Sequence, residues 1–187
     1  MSSIRHVAVL VGSLRKAAFT RVLAEALSRI APSTLNLSII EIGDLPLYNP
    51  DLDEGAPPAA WTRFRGEMKS ADAVLFVTPE YNRSVPAGLK NALDVGSRPY
   101  GASIWSGKPG AVISLTPGTL GAFGANHHLR QSLVFLDVPA LQQPEAYLGG
   151  AGTMFDADGA FADPKTEAFM RHYLEAFAAW IERLAAH

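Results

Sequence analysis

Two rhythms of apolar and polar positions alternate along the chain. Val7 to Val11 is an unbroken apolar run, as expected of a strand buried on both faces. It stops at Gly12, and a short basic turn follows through Ser13, Leu14, Arg15 and Lys16. Phe19, Val22, Leu23, Ala26, Leu27 and Ile30 then recur at helical spacing, which predicts a helix starting between Ala18 and Thr20. Leu35 to Ile40 alternates as a second strand would. Asp44 to Pro58 carries four prolines and reads as a long loop, either functional or a solvated connection. Trp61, Phe64 and Met68 mark a second helix, and Ala73 to Val77 a third strand. A helix is expected from Pro86, with Leu89, Ala92 and Leu93 behind it.

The rest of the chain repeats the pattern. Ala111 to Leu115 is a fourth strand, followed by a glycine-rich loop, Pro117 to Gly124, and a helix through His128, Leu129, Ser132, Leu133 and Phe135. Val138 to Leu141 is the expected fifth strand, and Gly149 to Asp163 a loop. Phe169, Tyr173, Phe177, Trp180 and Leu184 form the core stripe of a final helix. No repeat, linker or low-complexity tract interrupts this order, so one domain spanning 1–187 is expected. Alternating strands and helices of this size predict an α/β fold: a doubly wound, three-layer α/β/α, five-stranded parallel sheet of flavodoxin type, in the order 2-1-3-4-5. In such a sheet a ligand lies beyond the carboxyl ends of the strands. The unusual loops at 12–20, 78–86 and 115–124 each follow a strand, so they are expected to converge on one rim.

Composition narrows the chemistry. The chain has no cysteine, which excludes disulfides, thiolate metal sites and cysteine nucleophiles. A net charge of −2 with both signs mixed argues against nucleic acid as a partner. No apolar run reaches the length of about 18 residues that a membrane span needs, and the N-terminus lacks a cleavable leader pattern. A soluble, cytoplasmic protein is expected. The turn after the first strand gathers backbone N–H groups at a helix N-terminus, with Arg15, Lys16 and Arg21 as cations and Ser13 and Thr20 as hydroxyl donors. It is an anion site, and a phosphate suits it. Gly118, Gly121 and Gly124 lack the spacing and place of a dinucleotide fingerprint. Gly101 to Lys108 has one residue too many for a P-loop, with Pro109 where a magnesium-holding hydroxyl is needed. No GxSxG elbow occurs. His127 and His128 are adjacent on a helix and point to different faces, so no metal site is expected. Glu80, a lone carboxylate, suits capping or orienting backbone better than acid–base work. A phosphate cradle facing Tyr81 and a glycine loop suits a planar aromatic group bearing a phosphate; a flavin mononucleotide and an ordinary nucleotide fit about equally on these grounds.

Two segments resolve that choice. GSLRKAAFTR at 12–21 and TPEYNRSVPAGLKNALD at 78–94 resemble the signature segments of the NADPH-dependent FMN reductase family, with closer likeness to its chromate and quinone reductases. SRP at 97–99, GKP at 107–109 and HLRQSLVFLD at 128–137 are similar to that family as well. The resemblance covers most of 5–145. It implies a flavodoxin-like fold, bound FMN, NADPH or NADH as electron donor, small-molecule acceptors such as quinones, azo compounds or chromate, and a homodimer or homotetramer. By position, it implies that Ser13 and Arg15 hold the FMN phosphate; that Pro79, Glu80, Tyr81, Asn82 and Ser84 line the ribityl chain and ring; and that Ser114 and the Gly118–Gly121 loop flank the ring from the other side. Ala18 and Thr20 stand where the family usually has Ser and Asn as phosphate donors. Loss of one such hydrogen bond costs about 1.5–3 kcal/mol, roughly tenfold to a hundredfold in affinity. Arg83 and Val95 replace aromatics; Arg83 is either a selector of anionic substrates or a solvated side chain. With no side-chain acid or base foreseen in the hydride step, the chemistry is centred on the flavin. A non-catalytic flavin- or nucleotide-binding sensor or carrier is the alternative.

Overall fold

Each long apolar run becomes a strand because neither of its faces meets water. In the computed structural model, which describes residues 4–185, five parallel strands form one sheet: β1 (Arg5–Val11), β2 (Leu35–Ile39), β3 (Ala73–Thr78), β4 (Gly110–Leu115) and β5 (Ala146–Leu148). Their order is β2-β1-β3-β4-β5, as the pattern predicts. The helices are α1 (Phe19–Ile30), α2 (Ala59–Ser70), α3 (Ala87–Gly96), α4 (Phe123–Phe135) and α5 (Pro164–Ala185). Successive side chains of a strand point to opposite faces. Val7, Val9 and Val11 therefore pack with Leu23 and Leu27 of α1 and Tyr173 and Phe177 of α5. Ala8 and Leu10 pack on the other face with Trp61 and Phe64 of α2, Leu89 and Leu93 of α3, and Leu129 and Leu133 of α4. Two buried layers on a shared sheet give the doubly wound, three-layer arrangement.

Register decides where the loops emerge. Val11 lies beside Val77, Val77 beside Ile113, and Thr78 beside Ser114. The carboxyl ends of β1, β3 and β4 are level, so the three following loops start from one edge of the sheet.

The fifth strand corrects the sequence reading. Val138 to Leu141 is not that strand: only Ala140 bridges to Gly110, at the start of β4. Its backbone is held there by Gly110 N–H donating to Pro139 O (3.1 Å) and Leu141 N–H donating to Gly110 O (2.7 Å). Pro139 has no N–H to extend a ladder. The chain then leaves the sheet and returns as Ala146–Leu148, beside Ile113–Leu115.

The long 44–58 segment is pinned down rather than freely solvated. Buried Asn91 on α3 accepts from Tyr48 N–H (2.8 Å) and donates to the carbonyls of Leu45 and Pro46 (3.2 and 3.0 Å). Trp61 Nε1 donates to Pro46 O at 3.0 Å. Arg65 makes a two-pronged pair with Asp53, 2.7 Å on each prong, while its Nε donates to Val95 O (2.9 Å). The guanidinium also lies over the Trp61 ring, 5.6 Å from its centroid. Hydrogen bonding to Arg65 holds the Asp53 carboxyl below the ordinary carboxylate range.

Candidate active site

The site begins at Gly12, whose N–H donates to Val77 O (2.8 Å) and ends the β1 ladder. A side chain there would meet Pro79 Cδ at 3.0 Å and Thr78 Oγ1 at 3.1 Å, so glycine lets the loops after β1 and β3 touch. Ser13 is buried, and its hydroxyl is hydrogen-bonded to Tyr81 OH at 3.0 Å, joining the same two loops. The turn closes with Ala18 N–H donating to Arg15 O (3.2 Å).

Helix α1 then starts without help. Ala18 occupies its N-cap with no side-chain hydrogen bond. Thr20, in its first turn, is only 2% exposed, and its hydroxyl is buried without a hydrogen-bond partner among the described residues. A buried polar atom left unpaired costs about 1–3 kcal/mol. Together with the free N–H groups of the first helical turn, it is a donor set lacking its acceptor. These atoms open into a cleft formed by Ser13, Arg15, Ala18, Phe19 and Thr20 of the first loop, Pro79, Glu80 and Tyr81 of the second, and Leu115, Thr116 and Pro117 of the third. The residues present fit a phosphate group attached to a larger ligand.

The cations divide. Arg15 is exposed and has no carboxylate partner among the described residues. Arg21, expected at the anion site, pairs instead with Glu41 beyond the end of β2 (2.6 Å). With Lys16 and Arg15 it lines a second, larger cleft on the β2 side of the loop.

The loop after β3 turns tightly. Tyr81 and Ser84 exchange both backbone hydrogen bonds at 3.0 Å, and Asn82 and Arg83 between them have φ of 50° and 64°. Two left-handed residues make this a primed hairpin turn. Asn82 is therefore exposed at the tip, outside the cleft. Ser84 Oγ is hydrogen-bonded to His128 Nδ1 (2.7 Å), while His127 Nε2 lies 3.0 Å from Tyr147 OH; the adjacent histidines do point apart. Arg83 is 77% exposed and leans on Glu80 (3.2 Å). Glu80 is 13% exposed; its Oε2 accepts from Ala125 N–H (3.0 Å) in the first turn of α4. That helix has no cap of its own, because Ala122 stands at its N-cap. The carboxylate supplies the missing acceptor and opposes the helix dipole. Gly124 leaves room for it: a side chain there would stand 2.8 Å from Glu80 Oε2.

The third loop is fixed from beneath. Ser114 is fully buried and does not reach the cleft; its hydroxyl donates to Gly121 O at 2.7 Å. Gly121 has φ of +60°, and a side chain there would overlap the Tyr147 backbone at 2.5 Å. Gly118 O accepts from Gly150 N–H (3.1 Å). The structure thus brings Ser13, Arg15, Ala18, Thr20, Pro79, Glu80 and Tyr81 into one cleft. Ser84, Ser114, Gly118 and Gly121 support its walls, and Asn82 lies outside it. Thr116, absent from the sequence-based set, lines the cleft; its place one residue beyond β4 was the signal.

Comparison with known proteins agrees with this geometry. The family model for NADPH-dependent FMN reductase matches residues 5–153. A quinone reductase of Pseudomonas putida is 61% identical over 182 residues, 97% of each chain. A 2-hydroxy-1,4-benzoquinone reductase of a Burkholderia species is 43% identical, covering 94% of this chain and 95% of the relative. Among solved structures, the flavoenzyme NAD(P)H:(acceptor) oxidoreductase FerB of Paracoccus denitrificans superposes with a TM-score of 0.91 at 42% identity, over 96% of this chain and 98% of its own. Matched along nearly its whole length, with three loops meeting at one rim, this chain belongs to the NADPH-dependent FMN reductase family.

Proposed function

We propose that the protein is an NAD(P)H:quinone oxidoreductase that works through FMN held in the three-loop cleft. The observation that carries the reading is the buried, unpartnered Thr20 hydroxyl at the uncapped start of α1, inside a cleft that Arg15 makes positive. When bound, FMN supplies a two-electron relay, so that NAD(P)H and a proton reduce a quinone to its hydroquinone. The chain binds and orients. The first turn of α1, Thr20, Ser13 and Arg15 hold the phosphate. Tyr81 and Pro79 line one wall and Leu115, Thr116 and Pro117 the other, with the Gly118–Gly121 segment continuing that wall. Among the described residues the N–H groups of Thr119 to Ala122 meet no acceptor in the chain, so this wall offers backbone donors to developing negative charge. Glu80 is committed to α4 and moves no proton. The quinone reductases among the relatives favour an enzyme over a non-catalytic carrier.

Purified protein is titrated with FMN, and NADPH and NADH oxidation is then followed with benzoquinone as acceptor. A yellow complex with turnover that depends on FMN is expected. A protein that binds FMN without turnover would be a carrier. The assembly is a homodimer or homotetramer, for which a mass twice or four times that of the chain is expected by light scattering. Among the described residues no helix is long and apolar enough to cross a membrane, and a cytoplasmic location is part of this reading.

A further inference from the structure

Behind the third loop lies a chain of hydrogen bonds that the cleft itself does not use. Arg130, on α4, donates from Nε to Asn126 Oδ1 (2.9 Å) and from Nη1 to Leu141 O (2.9 Å). Asn126 Nδ2 donates to Ser114 Oγ (3.1 Å), and the Ser114 hydroxyl donates to Gly121 O (2.7 Å), with Ala146 O a longer alternative at 3.4 Å. Asn126 and Ser114 are both fully buried. From Arg130 Nε through Asn126 and Ser114, every link donates in the same direction, away from the guanidinium and toward the Gly121 carbonyl.

Arg130 is an unusual residue to find there. No Asp or Glu among the described residues lies within ion-pair distance of it, and its Nη2 is buried with no partner. A lone, half-buried cation is expensive unless something repays it. Its charge reaches its surroundings: burial pushes the Tyr173 phenol up, and Arg130 opposes that rise.

We propose that Arg130, Asn126 and Ser114 are positioning residues that fix the Gly121 peptide and pass the Arg130 charge to it, making the amides of the 119–122 segment stronger donors to the reduced flavin. The inference rests on the reading that FMN occupies the cleft. Hydrogen bonds arranged head to tail polarise one another, and low dielectric strengthens the effect. A carbonyl that accepts a strong bond leaves the N–H of its own peptide more positive. Gly121 and Ala122 are buried, and their N–H groups have no acceptor among the described residues. Reduced FMN carries more negative charge on its pyrimidine than oxidised FMN, so this relay stabilises the reduced form more.

The test compares the wild-type holoprotein with Ser114→Ala, Arg130→Met and Arg130→Lys by FMN titration and by spectroelectrochemical measurement of the two-electron potential. Ser114→Ala and Arg130→Met are expected to weaken reduced FMN about tenfold more than oxidised FMN, a potential lower by about 30 mV. Arg130→Lys, which keeps the charge, is expected to recover most of that shift. Ser114→Ala removes only one hydroxyl and carries the test if Arg130→Met does not fold. If the variants lose stability but keep the wild-type potential, the relay is merely structural and the inference is overturned. A wild-type protein that takes up no FMN overturns the flavin reading and this inference with it.

Discussion

Thr20→Val separates stability from ligand binding at a single atom. The replacement keeps the β-branched shape and exchanges only the hydroxyl for a methyl; in the free protein that hydroxyl is buried and has no partner among the described residues. Removing it relieves a desolvation cost of about 1–3 kcal/mol, while valine and threonine have similar helix propensities. For a chain of this length, that raises the melting temperature by about 2–12 °C, at roughly 2–4 °C per kcal/mol. Binding moves the other way. If the hydroxyl donates to a phosphate oxygen, its loss costs about 1.5–3 kcal/mol, or about tenfold to a hundredfold in the dissociation constant. Differential scanning fluorimetry without FMN and quenching of flavin fluorescence on titration measure the two effects. A variant less stable than the wild type would mean the hydroxyl has an internal partner. A variant with unchanged FMN affinity would place the phosphate elsewhere.

Three more substitutions probe the surroundings. Arg15→Ala is expected to weaken FMN by at least about tenfold while leaving the unfolding free energy of the free protein, measured in urea, within about 0.5 kcal/mol of wild type, because the side chain is exposed and has no carboxylate partner among the described residues; unchanged affinity would remove Arg15 from the phosphate site. Glu80→Ala is expected to cost about 1–2 kcal/mol in urea unfolding through the lost cap on α4, and Glu80→Gln, which keeps an acceptor, less than half of that; an altered pH profile of kcat in Glu80→Gln would instead reveal a proton-transfer role. Asp53→Ala is expected to cost about 3 kcal/mol or more at pH 7 by stranding Arg65, whose side chain is 11% exposed against 10% for Asp53. Because the folded-state pKa of Asp53 is depressed, its contribution is full above the unfolded value of about 3.9 and is lost as pH falls through the folded one; the gap between variant and wild type should narrow below about pH 4, and a gap independent of pH would contradict the assignment.

What the sequence made legible follows from where information is local. β1, β3 and β4 are buried on both faces, so their apolar runs stand out without any partner being known. β5 is three residues long, too short for a pattern, and the Val138–Leu141 run nearby imitates a strand while only Ala140 pairs. At the site, the glycine-started turn and the convergence of loops were readable from strand order. The roles of Ser114 and Arg21 were not, because each depends on a partner chosen by the fold: Asn126 and Gly121 for one, Glu41 for the other. Glu80 was recognisable as a capping carboxylate, but the helix it caps lies some forty residues on. Asp53 and Arg65 gave no signal at all, since a charged pair twelve residues apart is ordinary until both are seen to be enclosed.

The level ends of β1, β3 and β4 have a practical corollary for engineering. Because Val11, Val77 and Ile113 are neighbours across the sheet, residues added beyond the strand ends at Val11, Thr78 and Leu115 lengthen the rim without shifting a rung beneath it. Acceptor preference should thus be open to redesign by exchanging segments between homologues, one crossover at a time, with the barrier to each graft set by its two endpoints rather than by its contents.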